Sequence, residues 1–312
     1  MIFGIWPGVV DADLVNFSPV VCPPEDIDAT CRALQHLQGR APLFYVRSFR
    51  HFGTGAQGFS NAVMPTPADP TVYLSDGRQV DLVCCYQSME PDPVGYARFV
   101  RTAVRDIHEW GGGKIQIGEE LNMPAPLDGG SPGCFHAIAA GVRAAAEERE
   151  RLGADVLIGV NAAGMANEKF WETFACHLQD DMDNLDYLGL DIFPDVFFPI
   201  PQETLAEATQ FVLDTAQQYS STAGFPTSLP FHIGETGWPT GRDRTEEKQA
   251  EVLIRVAEAI LTSGHNVTAY EFFGLRDTVT RGNWKQEFGI MRDDYSPKPA
   301  FGRVLELIAN AS

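Results

Sequence analysis

The sequence predicts one (β/α)₈ barrel spanning residues 1–312. Three observations carry this reading: eight short apolar runs, amphipathic stretches between them, and a length that a single α/β barrel fills with one core. The runs are Phe3–Trp6 (β1), Leu43–Arg47 (β2), Leu82–Tyr86 (β3), Ile115–Gly118 (β4), Val156–Val160 (β5), Tyr187–Ile192 (β6), Phe231–Gly234 (β7) and Thr268–Phe272 (β8). Each is short and rich in β-branched or aromatic residues, as strands buried on both faces are. Between β1 and β2, Ile27, Cys31, Leu34 and Leu37 recur at helical spacing; after β3, Val94, Ala97, Val104 and Ile107 do the same. Asp92-Pro93 and Ser296-Pro297 read as helix starts, and Gly153 as a helix stop. The stretch from Phe49 to Val80, with Gly53, Gly55, Gly58 and several prolines, predicts an irregular connection with a weak or missing helix. An open doubly wound sheet would carry a phosphate-binding glycine signature after an early strand, and the sequence has none.

Composition narrows the partners. With 44% hydrophobic and 21% charged residues the chain can bury a large core. A formal net charge of −19 disfavours nucleic acid and anionic membranes, and favours a neutral or cationic ligand. No run approaches the roughly 20 apolar residues of a membrane span. The start at Met1 shows no basic region, apolar segment or cleavage site, so a cytoplasmic location is expected, unless a leader has been removed. Six cysteines without a CxxC, and histidines without an HxH or HxxxH pair, predict core thiols and neither metal nor cofactor.

In such a barrel the reactive groups project from the C-terminal ends of the strands. Two of those ends carry acids. β4 runs into Ile117-Gly118-Glu119-Glu120-Leu121-Asn122, and β7 into Gly234-Glu235-Thr236-Gly237-Trp238-Pro239. Cleavage of a glycosidic bond needs one carboxylic acid to protonate the leaving oxygen and a carboxylate on the other side of the anomeric carbon. Two strand-end glutamates supply that pair.

The β4 sequence resembles the Ile-Gly-Asn-Glu-Pro-Asn pattern of clan A glycoside hydrolases. Glu235-Thr236-Gly237-Trp238-Pro239-Thr240 is similar to the nucleophile motif of the family 17 β-1,3-glucanase-like enzymes in that clan. The resemblance implies a retaining enzyme acting on a β-linked sugar, with Glu120 as acid/base and Glu235 as nucleophile. It covers the barrel in outline from Ile2 to about Ile308, and 287–300 resembles the closing segment of these domains. Three positions depart from the pattern. Glu119 stands where the clan has an asparagine that binds the sugar 2-hydroxyl, and is itself an alternative catalytic acid. Phe193, after β6, replaces a tyrosine or histidine that donates to the nucleophile. Glu271-Phe272-Phe273 after β8 replaces the tryptophan that floors the first sugar subsite.

Arg47 resembles the clan's arginine that keeps the nucleophile ionised, with Arg50 as the fallback. Trp6, Tyr86, Trp238, Phe272 and Trp284 are the remaining candidates for sugar stacking, since exposed flat rings pack on C–H faces. Two rival functions stay open: an inactive barrel that binds carbohydrate or protein, and a metal-dependent hydrolase. Neither the sugar, nor exo or endo action, nor the oligomeric state is legible.

Overall fold

A computed structural model describes residues 1–10, 20–53, 67, 69–125 and 129–311. Eight parallel strands close into a barrel in sequence order: β1 Ile2–Ile5, β2 Phe44–Phe52, β3 Arg78–Tyr86, β4 Gly113–Ile117, β5 Val156–Ala163, β6 Tyr187–Asp191, β7 Phe231–Thr236 and β8 Val267–Phe272. Helices α1 Ile27–Gln38, α2 Pro93–Glu109, α3 Cys134–Leu152, α4 Glu168–Leu178, α5 Leu205–Ala223 and α6 Glu246–Leu261 fill six of the seven crossovers, and α7 Pro299–Ala311 follows β8. Between β2 and β3 the described residues hold only a 3₁₀ turn, Pro70–Tyr73. Residues 54–66 and 68, the middle of the irregular connection, lie outside the described set.

Local chemistry explains these boundaries. Asp92 accepts the Gly95 N–H at 2.7 Å, with Pro93 at the first helical position, which starts α2 where expected. Gly153 ends α3 in the left-handed region, at φ 61°. Ser296-Pro297 does not open α7. Ser296 closes a turn by donating its N–H to Asp294 (2.8 Å), and α7 begins two residues after Pro297. β2 and β3 both run longer than the apolar pattern shows, because their extra residues, such as Ser48 to Phe52 and Arg78 to Asp81, include polar side chains.

Alternation along each strand sorts side chains into two environments. Phe44, Val46, Leu82, Cys84, Ile115, Ile117, Leu188 and Leu190 join the apolar layer between sheet and helices. The opposite parity supplies an interior that is polar: Arg47, Asp81, Lys114, Gln116, Asn161, Asp191, His232 and Glu271 are all buried. No helix among the described residues is long and apolar enough to cross a membrane.

Candidate active site

Arg47 occupies the centre of the barrel mouth. Its Nη1 donates to Asp81 Oδ2 at 2.5 Å and to Gln116 Oε1 at 3.2 Å, while Nη2 donates to Glu235 Oε1 at 3.4 Å. Nη2 also lies 3.6 Å from Glu119 Oε2 and 3.9 Å from Asp191 Oδ1. Burial alone would lower the pKa of this fully buried guanidinium, but Asp81, Glu119, Glu235 and Asp191 together raise it well above its ordinary value. It is a permanent cation shared by carboxylates from β3, β4, β6 and β7. Arg50, the fallback, pairs with Asp106 of α2 at 2.6 Å and lies over the Trp110 ring.

Glu235 reaches that cation through a β-bulge. Strict alternation from Phe231 and Ile233, which face the helices, would turn Gly234 inward and Glu235 outward. The register steps from Leu190↔Ile233 to Asp191↔Glu235, leaving Gly234 as the extra residue. A Cβ on Gly234 would lie 2.8 Å from Asp191 Oδ1 and 3.1 Å from Arg47 Nη1, so only glycine fits there. Thr236 then faces outward and its hydroxyl donates to Ile192 O at 2.6 Å.

The β4 acids are set by a turn. Gly118, at φ 86°, breaks the strand, and its N–H donates to Cys84 O at 3.0 Å. Glu119 is 6% exposed; Gln116 donates to its carboxylate. Glu120 is half-buried and itself adopts φ 36°, a conformation costly for a glutamate and concentrated at functional sites. Its N–H donates to Asn161 Oδ1 at 2.9 Å, and the Asn161 amide donates to Asp191 Oδ2. Asn161 thus ties the Glu120 backbone to the carboxylate cluster. Burial pushes Asp191 up to about 6, against the pull of Arg47.

Carboxylate oxygens of Glu119, Asp191 and Glu235 all lie within 4.8 Å of one another. That set has the donor chemistry for one divalent cation, yet Arg47 already contacts all three and supplies the positive charge. Deeper in the barrel, Lys114 Nζ lies 2.5 Å from Glu271 and 3.3 Å from Asp81. Burial, then Asp81, push Glu271 up to about 8; Lys114 opposes this but divides its charge between two acids. Asp81 goes the other way: burial raises it, but Lys114 and Arg47 hold it below the usual carboxylate range.

The aromatic candidates separate by strand parity. Tyr86 is fully buried on the helix side, stacked on Phe52 at 5.8 Å, with its hydroxyl accepting the Asp92 N–H. Phe272 is 2% exposed and packs on Tyr270 at 5.0 Å, also in the outer layer. Neither forms a sugar platform. Phe273, one residue later, is half-buried and stacks on Trp6 at 4.8 Å. Trp6 in turn meets Phe49 edge-on at 5.5 Å, and Arg47 lies over Phe49. Trp238 is buried, its indole N–H shared by the backbone and side-chain oxygens of Asp195 at 3.2 Å. Trp284 is half-buried, with Arg244 over its ring at 4.9 Å. Asp81, Gln116 and Asn161 belong to the site but were not singled out from the sequence. Their signal was a polar residue at an inward-facing position of a strand.

No family profile and no curated protein sequence matches the chain significantly. Its structural neighbours are glycoside hydrolase barrels. A family 39 glycoside hydrolase from Bacteroides cellulosilyticus superposes with a TM-score of 0.62 at 14% identity, over 98% of this chain and 63% of that one. Fungal β-1,4-galactanase gives 0.61 at 12% identity, over 98% and 99%. A β-glucuronidase from an uncultured Clostridium gives 0.60 at 11% identity, over 99% of this chain, which spans about half (50%) of that longer one. These likenesses are of fold.

Proposed function

We propose that the protein is a retaining glycoside hydrolase that cleaves a β-linked glycoside, with Glu235 as nucleophile and Glu120 as acid/base. The observation that carries this reading is the hydrogen bond from buried Arg47 to Glu235, made where acids from β4 and β7 converge. A nucleophilic carboxylate must be ionised, and a guanidinium 3.4 Å away favours that form. Glu235 attacks the anomeric carbon while Glu120 gives its proton to the leaving oxygen. Glu120, now a base, takes a proton from water as the water's oxygen displaces Glu235. Glu120 is suited to exchange that proton because it is half-buried at the rim, whereas Glu119 is enclosed.

A second reading exchanges Glu120 for Glu119, whose carboxylate lies within 4.8 Å of that of Glu235. One pair of experiments tests both. With azide on a confirmed aryl β-glycoside, Glu235→Gly yields an α-glycosyl azide if Glu235 is the nucleophile. The acid/base variant, Glu120→Ala or Glu119→Ala, yields the β-azide and still cleaves a 2,4-dinitrophenyl glycoside, whose leaving group needs no proton. Full activity of Glu235→Gln would end the proposal, and no turnover of any glycoside by wild type would leave the carbohydrate-binding barrel in its place.

A further inference from the structure

Retention needs one carboxylate at the anomeric carbon and one acid at the leaving oxygen. The barrel mouth holds more. Oxygens of Glu119 and Asp191 lie within 4.8 Å of each other and of Glu235, and the chemistry of Glu235 and Glu120 uses neither group. The cation among them, Arg47, has its closest partner elsewhere, in Asp81 at 2.5 Å. Glu119 and Glu235 keep a little exposure, whereas the Asp191 side chain is wholly enclosed. No amide or guanidinium hydrogen bond reaches Asp191 Oδ1, from which Arg47 Nη2 stands 3.9 Å away. The donors of this wall serve the protein itself. Arg47 Nη1 and Nη2 meet Asp81, Gln116 and Glu235; the Gln116 amide meets Gly118 O and Glu119; the Asn161 amide meets Asp191 Oδ2. Beside the nucleophile, an incoming sugar therefore meets charged acceptors.

Stereochemistry decides which part of the sugar that is. During attack the nucleophilic oxygen stands about 3–3.5 Å from the anomeric carbon. Of the atoms bonded to that carbon, the leaving oxygen faces the proton donor and the ring oxygen carries no hydrogen. The nearest donor is the substituent on the adjacent carbon, C2; every other donor lies farther round the ring. An atom hydrogen-bonded to two carboxylate oxygens at about 2.8 Å each bridges oxygens up to about 5.6 Å apart, and those of Glu119 and Glu235 fall inside that limit. A hydroxyl at C2 donates to one of them and turns its lone pairs toward the other. An ammonium offers three N–H donors and no acceptor.

We infer that the sugar bound against Glu235 is a 2-amino-2-deoxy-β-glycoside, its C2 ammonium held by the Glu119 carboxylate. The inference rests on the glycosidase reading above, with Glu120 as acid/base. Charge makes the same demand as hydrogen bonding. The transition state is oxocarbenium-like, with positive charge growing at the anomeric carbon, and an ammonium on the next carbon opposes it. A carboxylate on that ammonium offsets the repulsion. Once Glu235 has given its electron pair to the new C–O bond, Glu119 is the partner that keeps its charge, with enclosed Asp191 adjoining it. The formal net charge of −19 draws a cationic sugar in the same direction.

The experiment uses the whole chain and paired 4-nitrophenyl β-glycosides of the gluco and galacto series, one of each pair with an amine at C2 and one with a hydroxyl. Rates are read at about pH 6, where a sugar amine is protonated. Wild type is expected to favour the amine at least about tenfold in kcat/KM, the margin of a charge-assisted hydrogen bond over a neutral one. Glu119→Gln keeps the shape and removes the charge; it is expected to lose about 10- to 100-fold on the amine, chiefly in kcat, and less on the hydroxyl, so that the preference disappears. Equal losses on both substrates overturn the inference, since Glu119 then acts as acid or as scaffold. A wild type that turns over the hydroxyl glycoside as fast as the amine overturns it too, whether or not Glu119→Gln folds, and leaves the glycosidase reading in place. Amine turnover lost in EDTA and restored by a divalent ion gives the acids to a metal and overturns it as well. Calorimetry with the corresponding phenyl 1-thioglycosides, which resist cleavage, separates the two readings. If no glycoside is turned over but the amino thioglycoside binds at least about tenfold more tightly than its hydroxyl partner, the ammonium site stands and the glycosidase reading fails. No turnover and no binding preference removes both.

Discussion

Replacing Arg47 by methionine leaves four carboxylates without the guanidinium that lies within 3.9 Å of each of them. At an effective dielectric constant near 20, one unit charge 3.4 Å from Glu235 is worth about 5 kcal/mol to the ionised form. The folded variant escapes part of that loss by taking up protons, so the net cost is that of breaking a buried ion pair, about 3–5 kcal/mol. Unfolding entropy of about 2.1 cal/mol/K per residue over 312 residues gives about 0.66 kcal/mol/K, so Tm is expected to fall by about 5–8 °C at pH 7. The pH dependence identifies the cause. Without the cation, the buried carboxyls have folded pKa values above their unfolded ones. Their contribution is fully present below the unfolded pKa, near 4, and is lost as pH rises through the folded values. The gap between wild type and variant, followed by calorimetry from pH 4.5 to 7.5, must therefore widen with pH. A gap below about 2 °C at pH 7, or one that does not change with pH, would refute the central role of Arg47.

Three further outcomes follow from the same geometry. Gly234→Ala forces a methyl group to within 2.8 Å of Asp191 Oδ1 and should cost about 1–3 kcal/mol, together with a clear loss of kcat/KM; an unchanged melting curve would contradict the packing at the bulge. Glu271, with its pKa raised by burial to about 8, holds a proton in the folded chain that the unfolded chain releases above about 4.5, so stability is lost as pH rises between those values. Glu271→Gln should flatten the wild-type decline in Tm between about pH 5 and 8, each pH unit of which is worth at most about 1.4 kcal/mol from this one group. Asn161→Ala removes both the acceptor of the Glu120 N–H and the donor to Asp191; a stability loss of about 1–3 kcal/mol and at least tenfold lower turnover are expected by thermal melt and kinetics.

How far the sequence revealed this arrangement depended on whether an element announced itself through apolar residues. All eight strands could be located because their outward faces are apolar runs. The same rule hid the extra length of β2 and β3, where polar residues such as Arg78 and Asp81 occupy strand positions. It also hid the site's supporting side chains: Asp81, Gln116 and Asn161 look like ordinary strand or loop polars until a closed barrel points them at one guanidinium. Tyr86 and Phe272 failed as sugar platforms for a reason of parity. Each sits at a strand end, which suggested the mouth, but on the face that packs against helices. Strand ends are readable from one sequence, whereas the facing of their last residue depends on registers with neighbouring strands.

The bulge at Gly234 shows how far that dependence extends. Because Glu235 faces Arg47 only by virtue of one surplus residue in β7, the identity of the presented side chain is a matter of counting. Gly234 paired in plain alternation, without the bulge, would turn the carboxylate toward α5 and α6, whereas deleting Gly234 would keep Glu235 inward with no extra residue to accommodate. Sequences of this architecture that keep both glutamates but pair β7 without the bulge would then have the same acids and no site. For this fold, spacing within the strand is as much a catalytic determinant as the acids themselves.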